Sequence, residues 1–188
     1  MQMPAKVTAL CTLAFILAGC FGSGEKGRLQ LSICELLEDN DEWIKPALQA
    51  RETYGTPLHL TLAMLELPLS NLEKKHIRPR MADWDEYRIR NEQWGASAYE
   101  PEYAADFIGW FTQETNKRNK IHWDNTKGHY LALRLGHGAY ERFDPAKFPQ
   151  LEQQAVQVGI RAARWQHELA GCKSIWQSES WLQKIKPW

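Results

Sequence analysis

Alternating apolar and polar runs of strand length are scarce in this 188-residue chain, which argues against sandwich, barrel and parallel-sheet architectures. It has no CxxC and no Cys/His pair at ligand spacing, and His129 and His137 lie eight apart, outside any HExxH pattern. A metal centre is therefore not expected. No phosphate loop, nucleotide fingerprint or Ser/His/Asp order stands out, so no cofactor is expected either. Charge of neither sign is in surplus, with 23 basic and 23 acidic residues. That balance excludes non-specific nucleic-acid binding, which needs a basic excess. Internal repeats and low-complexity tracts are also missing.

The one long apolar run is at the start. MQMPAK is a short basic opening, and 7-VTALCTLAFILA-18 is too short for a stable membrane span. It closes on Leu17-Ala18-Gly19-Cys20, which matches the lipobox of bacterial lipoprotein signal peptides. That resemblance implies removal of residues 1–19 and acylation of Cys20, whose two or three acyl chains would anchor the chain to a membrane. Residues 20–30 then read as a Gly/Ser/charged tether and 31–188 as a single domain. Phe21, not Asp, follows Cys20, which favours the outer membrane of a Gram-negative bacterium, facing the periplasm. Cys34 and Cys172 remain, one near each end of the domain, in a compartment that permits disulfides. They are expected to form a bridge, the alternative being two free buried thiols.

Helical patterning fills the rest. Asp41 to Tyr54 reads as a first helix stopped by Gly55. Thr56-Pro57 opens a second helix, as N-cap and first-turn residue, and Pro68 terminates it. MADWDEYRIRNEQWG reads as a third, stopped by Gly95, and 101–119 as a fourth with Tyr103, Phe107, Trp110 and Phe111 at helical spacing. Asp124 is expected to cap a fifth over 125–135, ending at Gly136. A sixth spans 145–170 with Leu151, Val156, Ile160 and Trp165 along it, and an amphipathic tail covers 174–186. The expected class is all-α, six or seven helices around a cleft.

Within this pattern several ordered stretches carry a resemblance: 33-ICELL-37, 54-YGTPL-58, 106-DFIGWFTQETNKRNKI-121, 130-YLALRLGHGAY-140 and 168-ELAGC-172. Residues 32–172 resemble bacterial lipoproteins with a transglycosylase SLT domain, a lysozyme-like helical fold that cleaves peptidoglycan glycan strands. The resemblance implies that Cys34 and Cys172 pair. It also implies a chemistry in which one glutamic acid at the end of the second helix protonates the glycosidic oxygen. That group then takes a proton from the muramyl 6-hydroxyl, giving a 1,6-anhydro sugar. One carboxyl suffices, unlike the usual glycosidase pair, and apolar walls must raise its pKa.

This chain departs from that pattern three times. Aligned from 54-YGTPL-58, the acid position falls on Pro68, which has no proton to give. Glu66, the lone acid of 58-LHLTLAMLELPLS-70, lies two residues earlier, roughly 200° around an ideal helix. A Gly-Tyr-Ala-Gln-like segment before the third helix is missing between 72-LEKKHIRPRMA-82 and 83-DWDEYR-88. Arg134-Leu135-Gly136 stands where the family has His-Glu-Gly. The expectation is a family member that binds peptidoglycan or a cell-wall enzyme with its catalysis impaired. The rivals are an active lytic transglycosylase using Glu66 and a structural or partner-binding lipoprotein without sugar contact.

Other residues fill out the expectation. Tyr130, Tyr140 and His137 belong to the surviving motif and are the glycan-binding candidates, His137 also fitting a packed helix-end role. Trp84, Tyr87, Trp94, Trp110 and Trp123 suit sugar stacking or, by default, core packing. The basic run Lys74, Lys75, His76, Arg78 and Arg80 reads as a solvated loop that could meet stem-peptide carboxylates or lipid headgroups. Asp83, Asp85, Glu86, Asp106 and Glu114 read as helix-cap and surface charges.

Overall fold

The computed structural model describes residues 32–39, 41–65 and 77–176. Cys20, Glu66, Pro68 and the tail beyond 176 lie outside them. The regular secondary structure of the described residues is all helical, without a strand. The helices are α1 (Ile33–Asp39), α2 (Ile44–Tyr54), α3 (Leu58–Met64), α4 (Met81–Arg90), α5 (Pro101–Asn119), α6 (Thr126–Leu135), α7 (His137–Tyr140), α8 (Pro149–Gly171) and α9 (Lys173–Trp176), with a 3-10 turn over Asp41–Trp43. None of them is long and apolar enough to cross a membrane.

The all-α expectation holds, and most helix positions with it. Gly55 closes α2 in the left-handed region (φ 75°), its N–H donating to Arg51 O at 2.9 Å. Several boundaries differ. Pro57, not Thr56, is the N-cap of α3. Thr56 is buried, and its hydroxyl donates to Gly109 O at 3.2 Å and lies 2.8 Å from Thr112 Oγ1. Asn125, not Asp124, caps α6, accepting from Gly128 N–H at 2.8 Å. Helix α4 stops at Arg90, because Gln93 N–H turns back onto Arg88 O. Helix α8 starts at Pro149, a residue suited to a first turn, and its buried stripe is Ala155, Val158, Ala162, Trp165 and Leu169. Ile160 points outward instead. The short helices α1 and α7 had no sequence signal long enough to register.

Helix α5 runs through the core. Its buried face carries Ala104, Ala105, Phe107, Ile108, Trp110 and Phe111. Gly109 lets α2 approach, for a Cβ there would lie 2.5 Å from the Tyr54 ring and 3.0 Å from Ala50 Cβ. Trp84, Tyr87, Phe107, Trp110 and Phe111 form a continuous set of ring contacts at 5.1–6.4 Å between centroids. Tyr87 and Trp110 are thereby packed into the core and unavailable to a sugar. A disulfide joins Cys34 to Cys172 with Cα atoms 5.9 Å apart across a separation of 138 residues. Beside it, Glu168 Oε2 accepts from Ile33 N–H at 2.8 Å. On the chain-entropy model such a loop contributes about 5 kcal/mol.

His129 is the least comfortable member of this core. It is fully buried, stacks on Trp123 with centroids 5.7 Å apart, and neither ring nitrogen makes a hydrogen bond among the described residues. Burial is the main cause that pushes its pKa down to about 4. The unfolded chain therefore takes up a proton below the ordinary histidine value while the folded one does not until pH 4. Stability should fall as pH drops through this window, by about 3 kcal/mol from this residue alone. Urea unfolding at pH 7 and pH 4 should show a smaller drop for His129→Leu than for the parent, and equal drops would refute the assignment.

Candidate functional site

Two helix ends carry the site that the motifs point to. The first is the C-terminus of α3. Leu65 is buried and extended (φ −65°, ψ 132°), its N–H donating to Thr61 O at 3.1 Å. The helix thus ends ahead of Pro68, three residues sooner than the proline alone would require. The Ala63 carbonyl instead accepts from Arg161 Nη2 of α8 at 2.6 Å. The same guanidinium lies 5.4 Å from the centroid of Trp165. A cation at the carbonyl end of a helix is favoured by the helix dipole.

The second end is the α6–α7 corner. Arg80, at the N-cap of α4, donates from Nη1 to Leu135 O at 2.6 Å. Gly136 makes room for it: φ is 85°, and a Cβ there would fall 1.3 Å from Arg80 Nη1. Arg80 is thus fixed rather than a solvated loop cation, which corrects the reading of that basic run at this residue. Lys74, Lys75 and His76 lie outside the described residues.

Beyond Gly136, His137 begins α7. Its ring stacks on Phe111 at 4.6 Å, and Nε2 lies 3.0 Å from Thr115 Oγ1. The Thr115 hydroxyl already donates to Phe111 O at 2.8 Å, so His137 Nε2 is the donor. Burial, then the nearby Arg118, lower the His137 pKa, which favours the neutral ring. Asn119 Nδ2 donates to His137 O at 3.1 Å. Tyr130 on α6 and Tyr140 at the end of α7 are partly buried against the core, and Tyr140 N–H donates to Gly136 O at 3.0 Å. The structure thus gathers His137 and Tyr140 on one helical turn next to α6.

Two of the acids differ from the surface-charge reading, although Asp83 does lie in the first turn of α4. Asp83 is buried, with Oδ2 unpaired by any hydrogen bond and the Arg80 Nε 3.7 Å away; burial raises its pKa. Asp106 is half-buried and accepts from Tyr87 Oη at 2.7 Å and Tyr54 Oη at 3.1 Å. Burial raises its pKa against the pull of those two phenols. Neither is a simple surface charge. Glu114 and Glu86 do behave as read, sharing Arg118 at 3.0 and 2.8 Å. Among the described residues no group of three or more His, Cys, Asp or Glu is placed to hold a metal ion.

Comparison with known families settles the relationship. The family model described as transglycosylase SLT domain matches residues 8–82 and 67–172. The chain belongs to the transglycosylase SLT domain family. The match comes in two pieces that overlap over 67–82. No curated protein and no solved structure matches the chain. A lysozyme-like, lytic-transglycosylase-like all-α domain is therefore established. No sequence signal announced Arg161 or Arg80, because their carbonyl partners lie 98 and 55 residues away.

Gly136→Ala should expel Arg80 from the corner and force an L-residue into the left-handed region. The expected loss is about 1–2 kcal/mol in urea unfolding. Gly138→Ala, with nothing within 4 Å of an added Cβ, should cost much less. Equal effects would mean that Arg80 is not seated as described.

Proposed function

We propose that this chain is a periplasm-facing, lipid-anchored member of the transglycosylase SLT domain family that binds peptidoglycan strands and has given up cutting them. On this reading residues 1–19 are a signal peptide, Cys20 carries the outer-membrane anchor, 20–30 are a tether, and 31–188 are the binding domain. Tyr130, Tyr140 and His137 contact the glycan. A cell-wall enzyme is a further partner that such a domain could hold beside its substrate.

The observation that supports loss of cutting is the pair of guanidinium groups at the two helix ends. Arg161 closes α3 at Ala63 O and Arg80 closes the α6–α7 corner at Leu135 O. A general acid for this chemistry must keep its proton near neutral pH, which requires an apolar setting free of nearby cations. A guanidinium at the end of α3 favours the ionised form of any carboxyl carried just beyond Leu65. The sequence agrees, with Pro68 in the acid position. Binding needs none of this, since on this reading it rests on Tyr130, Tyr140 and His137.

The test uses the full chain carrying Cys20→Ala, so that no acyl chain contributes. It should sediment with purified sacculi and be released by an excess of soluble glycan fragments. A chain that stays in the supernatant would point to the structural or partner-binding reading.

A further inference from the structure

Among the described residues, four of the six exposed large hydrophobic side chains fall between Met81 and Tyr99: Met81, Ile89, Trp94 and Tyr99. Trp94 is the outlier, 66% exposed. The other tryptophans whose side chains are described are accounted for. Trp43, Trp110 and Trp165 are buried, Trp84 joins the ring contacts of the core, and Trp123 lies on His129.

The α4–α5 connection that carries Trp94 is held at several points. Asn91 Nδ2 donates to Tyr87 O at 2.9 Å, Gln93 N–H to Arg88 O at 2.9 Å, Ala96 N–H to Gln93 O at 3.0 Å and Glu100 N–H to Ser97 O at 3.1 Å. Glu92 sits in the left-handed region at φ 55°, a conformation an L-residue adopts at a cost. Ala96 is buried as an anchor, while Tyr99 is 49% exposed. A hydrogen-bonded turn thus holds the backbone that carries this exposed indole, and leaving such a surface uncovered is unfavourable.

The surroundings choose the ligand. From Asn91 to Tyr103 the chain has Glu92, Glu100 and Glu102 and no lysine or arginine. The preceding Arg88 and Arg90 are paired, the one with Asp85 and the other with Glu86 and Glu114. This setting is unfavourable to anionic lipid headgroups and carboxylate-rich peptides. Asn91, Gln93 and Ser97, within three residues of Trp94 along the chain, are neutral hydrogen-bonding side chains. Of these, Asn91 Nδ2 already donates to Tyr87 O, and Ser97 Oγ accepts from Tyr99 N–H at 3.2 Å. A flat aromatic face flanked by neutral hydrogen-bonding groups fits the C–H face and amide of an uncharged N-acetylhexosamine. We propose that Trp94 is a glycan-stacking platform for such units, with Tyr99 a second aromatic on the same connection. It follows the C-terminus of α4, about 15 Å along that helix from Arg80 at the other end, so it is a separate contact from the α6–α7 corner. The proposal rests on the peptidoglycan-binding reading and adds to it where a strand is gripped.

The test again uses the full chain with Cys20→Ala, alone and with Trp94→Ala or Trp94→Phe. Tryptophan fluorescence is titrated with a soluble N-acetylglucosamine oligosaccharide, and retention on sacculi is measured in parallel. Trp94→Ala should weaken oligosaccharide binding at least about tenfold without lowering the melting temperature, and Trp94→Phe should keep most of it. Unchanged binding by Trp94→Ala, with the parent retained on sacculi, would overturn this proposal alone. An oligosaccharide response without sacculus retention would sustain the platform and defeat the broader reading. A response to vesicles of phosphatidylethanolamine and phosphatidylglycerol, with none to the oligosaccharide, would make the surface lipid-directed and overturn the platform.

Discussion

The close crossing of α2 and α5 at Gly109 is the constraint on which the rest of this domain hangs. With no Cβ at that position the Tyr54 ring lies against the α5 backbone. From there its hydroxyl meets Asp106, and Tyr87 reaches the same carboxylate from α4. One half-buried acid thereby ties three helices together. Removing either phenol would leave a desolvated carboxyl short of a partner, which is costlier than the bond itself is worth. The aromatic core and the seat of His137 on Phe111 are both built on the helix that this crossing positions.

A lytic transglycosylase needs that scaffold to hold a protonated carboxyl in an apolar cleft. Here the all-α scaffold is present, with a cation bonded at each of two helix ends. Guanidinium groups take the terminal carbonyls of α3 and α6, a stabilising arrangement for the helices and an adverse one for a general acid. Stability and catalysis make conflicting demands on the same helix ends, and a domain that only binds can satisfy the first without regard for the second. The exposed indole of Trp94 fits the proposed binding role, since a binding domain has use for an exposed aromatic face.

Much of this could be read along the chain because it depends on local pattern. The spacing of Tyr103, Phe107, Trp110 and Phe111 gave α5, Gly55 gave the end of α2, and the family resemblance paired Cys34 with Cys172. What escaped the sequence depends on partners far along the chain. Asp106 looked like a surface charge because Tyr54 and Tyr87 lie 52 and 19 residues away. Arg80 looked solvated because nothing local points to Leu135. Asp124 and Asn125 are both good caps, and only the geometry of the first turn of α6 selects Asn125. Trp94 could not be told from its core-packed neighbours until each ring had a place.

The central claim, that the family fold is kept for binding and not for cutting, is tested most directly by digesting purified peptidoglycan. Products from the full chain, its Glu66→Gln variant and an active transglycosylase would be compared by mass spectrometry. The account predicts no 1,6-anhydro muropeptides from either form of this chain. Their appearance with the parent and disappearance with Glu66→Gln would contradict it and make Glu66 a working acid.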